Sequence, residues 1–108
     1  MIDLLISEAA AHSIIEQAEY YKQASDSDLA TRWELAVDKT TRALMAFPES
    51  GSRCRFRAPQ LAGLRWVLVP GFPNHLVFYR FRPEEKSILI VQVLHGARNL
   101  EVILKDDE

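Results

Sequence analysis

The stretch that decides the fold is Ser87-Ile88-Leu89-Ile90-Val91-Gln92-Val93-Leu94, which consists almost entirely of branched aliphatic residues. Such residues favour strands, and alternate residues of a strand point to opposite faces of its sheet. Both faces of this strand are therefore apolar, although a sheet with one solvated face needs apolar residues on only one of them. We expect it to be the central strand of a sheet that is covered on both sides.

Two further strand patterns precede it in the chain. Residues 64–69 are rich in valine and tryptophan, and residues 75–82 are mostly aromatic and branched. The connecting segments, 70–74 and 83–86, each begin with a proline, which favours turns. Because these connections are short, the three strands are expected to form an antiparallel meander.

The first half of the chain has helical spacing. A first helix over residues 7–22 begins on a serine, which is a preferred N-cap residue. A second helix has apolar residues every three or four positions from Leu29 to Phe47, and Pro48 ends it. The short connection between the helices predicts an antiparallel hairpin. Residues 2–6 form a short apolar run that is typical of an edge strand.

This order of elements predicts an α+β fold in which the N-terminal edge strand is followed by the helical hairpin, packed on a three- to four-stranded antiparallel sheet. A single core accommodates many more than the 108 residues present, so we expect one domain over residues 1–108. The helical hairpin can cover only one face of the sheet. The tail from Leu100 to Leu104, or a partner protein, must cover the other.

Composition excludes several classes of protein. Cys54 is the only cysteine, so no intramolecular disulfide forms, and no Cys/His cluster has zinc spacing. We therefore expect no structural metal, no cofactor and a reducing compartment. The N-terminus lacks the basic region of a signal peptide, and no segment approaches the roughly 20 apolar residues of a membrane span. The sequence thus predicts a cytoplasmic protein that does not interact with membranes.

Charge is distributed unevenly along the chain. Residues 1–50 contain nine acidic and four basic side chains, whereas residues 51–108 contain six acidic and nine basic ones. The net charge of −2 argues against bulk binding of nucleic acid. Residues 51–82, however, contain six arginines and no acidic residue, which indicates a positive surface and an anionic partner. The alternative is that some arginines pair with the acidic helical half of the same molecule.

The predicted partner-binding surface combines these arginines with aromatic residues. Arginine suits such a surface because its planar guanidinium binds carboxylates or phosphates through two hydrogen bonds. Phe72, on the proline-flanked turn, is the aromatic residue most favoured for contact, although aromatic residues of a sheet usually belong to its core. The set comprises Arg53, Arg55, Arg57, Arg65, Trp66, Phe72, Arg80, Arg82 and Arg98.

Several motifs resemble the ParE branch of the RelE/ParE toxin superfamily, and the resemblance covers nearly the whole chain. The most specific motif is Val93-Leu94-His95-Gly96-Ala97-Arg98-Asn99-Leu100, in which the family usually has aspartate where Asn99 stands. The other motifs are Glu19-Tyr20-Tyr21, Leu44-Met45-Ala46-Phe47-Pro48-Glu49-Ser50-Gly51, Leu64-Arg65 and Val77-Phe78-Tyr79-Arg80. The resemblance implies the toxin of a type II toxin-antitoxin system, with a cognate antitoxin that wraps it in a hetero-oligomer and growth arrest when the antitoxin is lost.

The superfamily contains two activities. ParE-like members inhibit DNA gyrase, whereas RelE-like members cleave messenger RNA on the ribosome with a basic trio and a C-terminal tyrosine. Such cleavage needs an acid, a base and cations on the phosphate. The candidate catalytic residues here are Arg65, His75, His95 and Arg98, with Arg80 as a further cation.

The nuclease set looks incomplete, because no acidic residue lies in the meander strands and no tyrosine follows Arg98. Residues 66–68 also stand where the nuclease branch tends to carry lysines. His95 and Arg98 have structural interpretations as well, as partners of backbone groups near the tail. The resemblance therefore favours gyrase inhibition. The endoribonuclease and an inactive member that only binds its antitoxin remain the alternatives.

Overall fold

A computed structural model describes residues 1–24, 27–96 and 99–107. The elements, in chain order, are β1 (Asp3–Ile6), α1 (Glu8–Ala24), α2 (Ser27–Ala46), β2 (Ser52–Arg53), β3 (Arg65–Val69), β4 (Phe72–Arg82), β5 (Ser87–His95) and α3 (Leu100–Asp107). Two short 3₁₀ turns, Pro59–Leu61 and Pro83–Glu85, lie between strands.

The sheet differs from the expected one in strand number and direction. It has five strands in the order β1-β5-β4-β3-β2, and β1 is parallel to β5 whereas the other pairs are antiparallel. The prediction of a purely antiparallel, three- to four-stranded sheet was therefore wrong. The direction of β1 could not be predicted, because the helical hairpin between β1 and the meander is long enough to return the chain either parallel or antiparallel to β5. The strand β2 was missed because its two residues are too few to show a strand pattern.

The meander itself is confirmed, with two adjustments. Only Pro70 and Gly71 separate β3 from β4. Such a tight turn is possible because Gly71 has a φ of 85°, which glycine adopts readily. Phe72, which we placed on the turn, therefore lies in β4. The apolar strand, β5, has neighbours on both edges, but β4 rather than β5 is the middle strand.

The helical hairpin covers one face of the sheet, as expected. Trp33, Val37 and Leu44 of α2 are buried against Val77 and Tyr79 of β4. The serine before α1 acts as its N-cap, since its Oγ accepts a hydrogen bond of 3.0 Å from the Ala10 amide. We call this the helix face.

The tail covers part of the opposite face, which we call the tail face. It forms the helix α3, whose Leu104 is fully buried with Phe78, Val91 and Leu94 of the sheet. The carboxylate of Glu101 accepts hydrogen bonds from the amides of residues 57 and 58, at 2.6 and 3.2 Å, and so fixes α3 to the preceding loop. The second cover that β5 requires is thus supplied by the chain itself.

Candidate functional site: an arginine-rimmed groove and a histidine cleft

A groove remains open on the tail face beside α3. Its volume is about 710 Å³, and it runs between residues 52–56 and the beginning of α3. Trp66 of β3 and Leu76 and Phe78 of β4 line it, together with Leu100. Trp66 and Leu76 are half-buried and reach solvent in the groove, whereas Phe78 is buried beneath it. We call this concavity the tail-face groove.

Two exposed arginines, Arg53 and Arg55, line the edge of this groove, and Arg57 follows them in the chain. Cys54, Phe56 and Ala58 pack on the tail-face core, and the alternate side chains Arg53, Arg55 and Arg57 are exposed. Among the described residues, no carboxylate lies within 4.0 Å of any of these three guanidinium groups. Within the described part of the chain, the charges of these three arginines are therefore not neutralised by a carboxylate.

Arg65 has a different environment. Its guanidinium donates to the carbonyl oxygens of Glu49 and Gly51 at 3.1 and 2.8 Å, and it lies 4.0 Å from the Glu49 carboxylate. The neighbouring Tyr79 hydroxyl accepts a hydrogen bond from the Gly51 amide at 2.9 Å and donates to the Pro48 carbonyl at 2.8 Å. Burial raises the pKa of Tyr79, so it stays protonated. Arg65 and Tyr79 therefore fasten the segment after α2 to the sheet.

Arg80 and Arg82 are also engaged within the molecule. The Arg80 guanidinium donates to the carbonyl oxygens of Gln60 and Ala62 at 2.5 and 2.6 Å. Arg82 lies 3.7 Å from the Glu85 carboxylate, three residues further along. The arginine-rich stretch thus splits into side chains that hold loops and side chains that face solvent.

The two aromatic residues of the predicted surface lie on opposite faces. Trp66 lines the tail-face groove beside the exposed arginines. Phe72 instead packs on the helix face, where its ring centroid lies 5.2 Å from that of Trp33 and 5.6 Å from that of Tyr21. Arg98 falls outside the described residues. The structure therefore brings together Arg53, Arg55 and Trp66, but not Phe72.

A second concavity lies on the helix face, at the end of the sheet where β4 begins and β5 ends. It has two adjoining parts of about 530 and 240 Å³, both lined by Gln17 and Tyr20 of α1 and by His75 and His95. We call it the histidine cleft. Sequence reasoning named both histidines but missed the two α1 residues, although Tyr20 lies in a motif that carried the family resemblance.

The two histidines face each other across the β4–β5 ladder. They are directly paired, and their ring centroids are 5.2 Å apart. His75 is only 8% exposed, and burial, followed by the proximity of His95, lowers its pKa. Its Nε2 atom is buried and has no hydrogen-bond partner among the described residues. His95 is exposed at the mouth of the cleft.

The candidate nuclease residues are only partly assembled. Arg65 pairs with Tyr79, four residues along β4 from His75, and its guanidinium is directed to backbone carbonyls near Gly51. Four residues of a strand span about 13 Å. Within the described part of the chain, the histidine pair is therefore assembled without Arg65.

Comparison with known proteins shows to which family the chain belongs. The family model described as "ParE toxin of type II toxin-antitoxin system, parDE" matches residues 4–100. The chain belongs to the ParE toxin family. The match includes the whole tail-face groove and both histidines of the cleft, and it confirms the resemblance inferred from the motifs.

The ParE fold is supported independently by a solved structure. A chain of the "Chromosomal ParDE TA system from P. aeruginosa" superposes with a TM-score of 0.71, covering 88% of this chain and 96% of that one. The two sequences are 16% identical, so this likeness shows the fold alone. No curated protein matches the sequence. Among the described residues of this ParE-family chain, no helix has the length and apolar character needed to cross a bilayer.

Proposed function

We propose that this ParE-family toxin arrests growth by inhibiting DNA gyrase, and that a cognate antitoxin neutralises it in a toxin-antitoxin complex. The observation that carries the proposal is the tail-face groove, an apolar channel lined by Arg53 and Arg55. Their guanidinium groups have no carboxylate within 4.0 Å among the described residues. The family of the chain is defined by toxin-antitoxin pairing. Binding of a macromolecule, rather than chemistry, is what this surface supports best.

The groove selects a partner segment of particular chemistry. Trp66 and Leu76, which are half-buried in the groove, favour apolar side chains on the side of the segment that enters it. Arg53 and Arg55 favour carboxylates on the side that faces the wall, because each guanidinium can bind a carboxylate through two hydrogen bonds. An acidic, amphipathic segment of the antitoxin meets both requirements.

Antitoxin binding is tested with the protein encoded beside the toxin. We expect Trp66→Ala to weaken binding by more than about tenfold, since a buried tryptophan at an interface commonly contributes that much. Leu35→Ala is the matched control, because Leu35 is 63% exposed on α2 and does not line the groove. Isothermal titration measures both affinities. Equal affinities for the two variants, each shown to be folded by circular dichroism, would place the antitoxin elsewhere.

The contacts of two candidate catalytic arginines favour gyrase inhibition over catalysis. Arg65 and Arg80 bind backbone carbonyls of their own chain, so neither is available to neutralise a phosphate at the histidine cleft. A supercoiling assay with purified gyrase tests the proposal. We expect inhibition at micromolar toxin and its relief by the antitoxin, and undisturbed supercoiling would count against gyrase as the target.

The endoribonuclease alternative has one observation in its favour. His75 and His95 lie side by side, and two imidazoles are a common acid and base pair. Primer extension on translated messages decides between the activities. We expect no toxin-dependent cuts, whereas cuts that appear with the wild type and vanish with His95→Gln would establish the nuclease. Harmless overexpression without antitoxin would instead indicate an inactive member.

A further inference from the structure

The three histidines of the chain are placed very differently. His12 lies on the exposed side of α1, 3.1 Å from Glu16. His75 and His95 are paired directly across two antiparallel strands, and their ring centroids are 5.2 Å apart at an interplanar angle of 83°. Paired positions of neighbouring strands carry their side chains on the same face, so both rings lie on the helix face, in the histidine cleft.

One ring nitrogen of His75, Nε2, is buried. Its Nε2 has no hydrogen-bond partner among the described residues, and the side chain is 92% buried. Leaving a buried polar atom unsatisfied commonly costs about 1–3 kcal/mol, which is why native proteins seldom do it. An imidazole nitrogen can be satisfied by a hydrogen-bond partner or by a metal ion.

The spacing of the two ring centroids is compatible with the second of these. Two imidazoles that bind one tetrahedral ion through nitrogens at about 2.1 Å have their ring centroids roughly 5 Å apart. We propose that His75 and His95 together bind a divalent transition-metal ion, for which Zn²⁺ is the representative. Imidazole is a ligand that zinc, copper and nickel share, so the site selects this class rather than calcium or magnesium.

The surroundings of the pair accommodate a cation. The inner part of the cleft, about 240 Å³, is lined by Ser13, Glu16 and Gln17 as well as by both histidines. The Glu16 carboxylate is an acidic group on this wall and attracts a positive ion. In the described residues, no group of three or more His, Cys, Asp and Glu side chains is placed to hold a metal. The protein therefore supplies two ligands, and water or a partner completes the coordination.

Binding would also couple the two strands at their ends. A backbone hydrogen bond joins the Gly96 amide to the Asn74 carbonyl at 2.7 Å, next to the histidine pair. A metal bridge between His75 and His95 adds a link at the same place. Because the unfolded chain does not hold the two side chains together, the ion stabilises the folded protein.

Titration of the tag-free protein with ZnCl₂ tests the site. We expect one ion per chain by calorimetry, a rise of the thermal midpoint, and zinc-dependent shifts of the ring protons of His75 and His95 but not of His12. His95→Gln is the decisive variant, because His95 is exposed and its loss leaves the core intact. It should weaken zinc binding by more than about tenfold.

His12→Gln is the matched control and should bind zinc as the wild type does. His75→Gln should also lose binding, with circular dichroism to confirm that it folds. The proposal fails if zinc does not bind, if His95→Gln binds it unchanged, or if His12→Gln abolishes binding. None of these outcomes depends on whether gyrase is the target.

Discussion

One hydroxyl, that of Tyr79, joins the segment after α2 to the sheet. It bonds the Gly51 amide and the Pro48 carbonyl, and the close approach leaves no room for a side chain at Gly51. A Cβ atom added there would lie 2.6 Å from the Tyr79 oxygen and 2.9 Å from the Trp66 carbonyl oxygen. The glycine after the proline in the Leu44–Gly51 motif is thus explained by packing rather than by function.

Gly51→Ala is therefore expected to be destabilising. Forcing a methyl group into this contact should lower the free energy of unfolding by about 1–3 kcal/mol. Gly96→Ala is the control, since the nearest contact of its Cβ among the described residues would be the Asn74 carbonyl oxygen at 3.5 Å, and its effect should stay within about 0.5 kcal/mol. Urea denaturation measures both. Equal stabilities for the two variants would contradict the packing explanation.

Cys54 provides a reporter of the tail-face groove, which it lines. Burial raises its pKa to about 11, although the nearby Arg80 opposes the shift. A free thiol has a pKa of about 8.5, and only the thiolate is nucleophilic. We expect alkylation by iodoacetamide at neutral pH to be roughly a hundredfold slower in the native protein than in urea, and to accelerate about tenfold per pH unit up to that pKa.

The two rates are compared by mass spectrometry over time. The direction follows from the raised pKa, since a smaller fraction of Cys54 is thiolate at every pH below it. A native rate equal to that in urea would show that the thiol is not buried as described. Antitoxin in the groove should slow the native reaction further.

Which arginines are free could not be read from the sequence. Arg53 and Arg65 are both arginines of the same acid-free stretch, yet one is exposed and the other binds the carbonyls of Glu49 and Gly51. Backbone carbonyls leave no signature in the side-chain sequence, so they could not be foreseen as partners. The arginines at 53, 55 and 57 alternate along the chain, but alternation alone does not show to which face of the sheet they point.

At the level of elements, apolar periodicity determined most of the fold. The two helices and the three meander strands were predicted because each has enough residues to show its period. The parallel pairing of β1 with β5 was not, because strand direction is set by the three-dimensional path through the helical hairpin. The need for a second cover over β5 was inferred from its two apolar faces, and α3 now accounts for it.

Leu104 tests the importance of α3 as that cover. It is fully buried, so Leu104→Ala should lower the free energy of unfolding by about 2–5 kcal/mol. Val102→Ala is the control, because Val102 is 51% exposed on the same helix and its effect should remain below about 0.5 kcal/mol. Thermal and urea unfolding measure both. A small effect of Leu104→Ala would mean that α3 is not docked on the sheet.

For the whole molecule, the uneven charge along the chain becomes an uneven charge in space. The acidic first half forms the two helices of the helix face. Arg53 and Arg55 of the second half line the edge of the tail-face groove. The small net charge of −2 conceals this asymmetry. An acidic partner should therefore be steered toward the tail face, even though the protein as a whole is slightly acidic.

Charge reversals beside the groove and on α2 distinguish steering by the arginines of the groove from an effect of the net charge alone. The double variant Arg53→Glu, Arg55→Glu should slow association with the acidic antitoxin segment by about tenfold or more at low salt, and should remove most of the salt dependence of the rate. Arg32→Glu, Arg42→Glu changes the net charge equally, but on α2, where each arginine pairs with an aspartate four residues earlier. Stopped-flow tryptophan fluorescence measures both rates, because Trp66 lies in the groove whereas Trp33 is fully buried on the helix face. Equal slowing by the two variants would show that only net charge matters, and that the arginines of the groove do not direct the encounter.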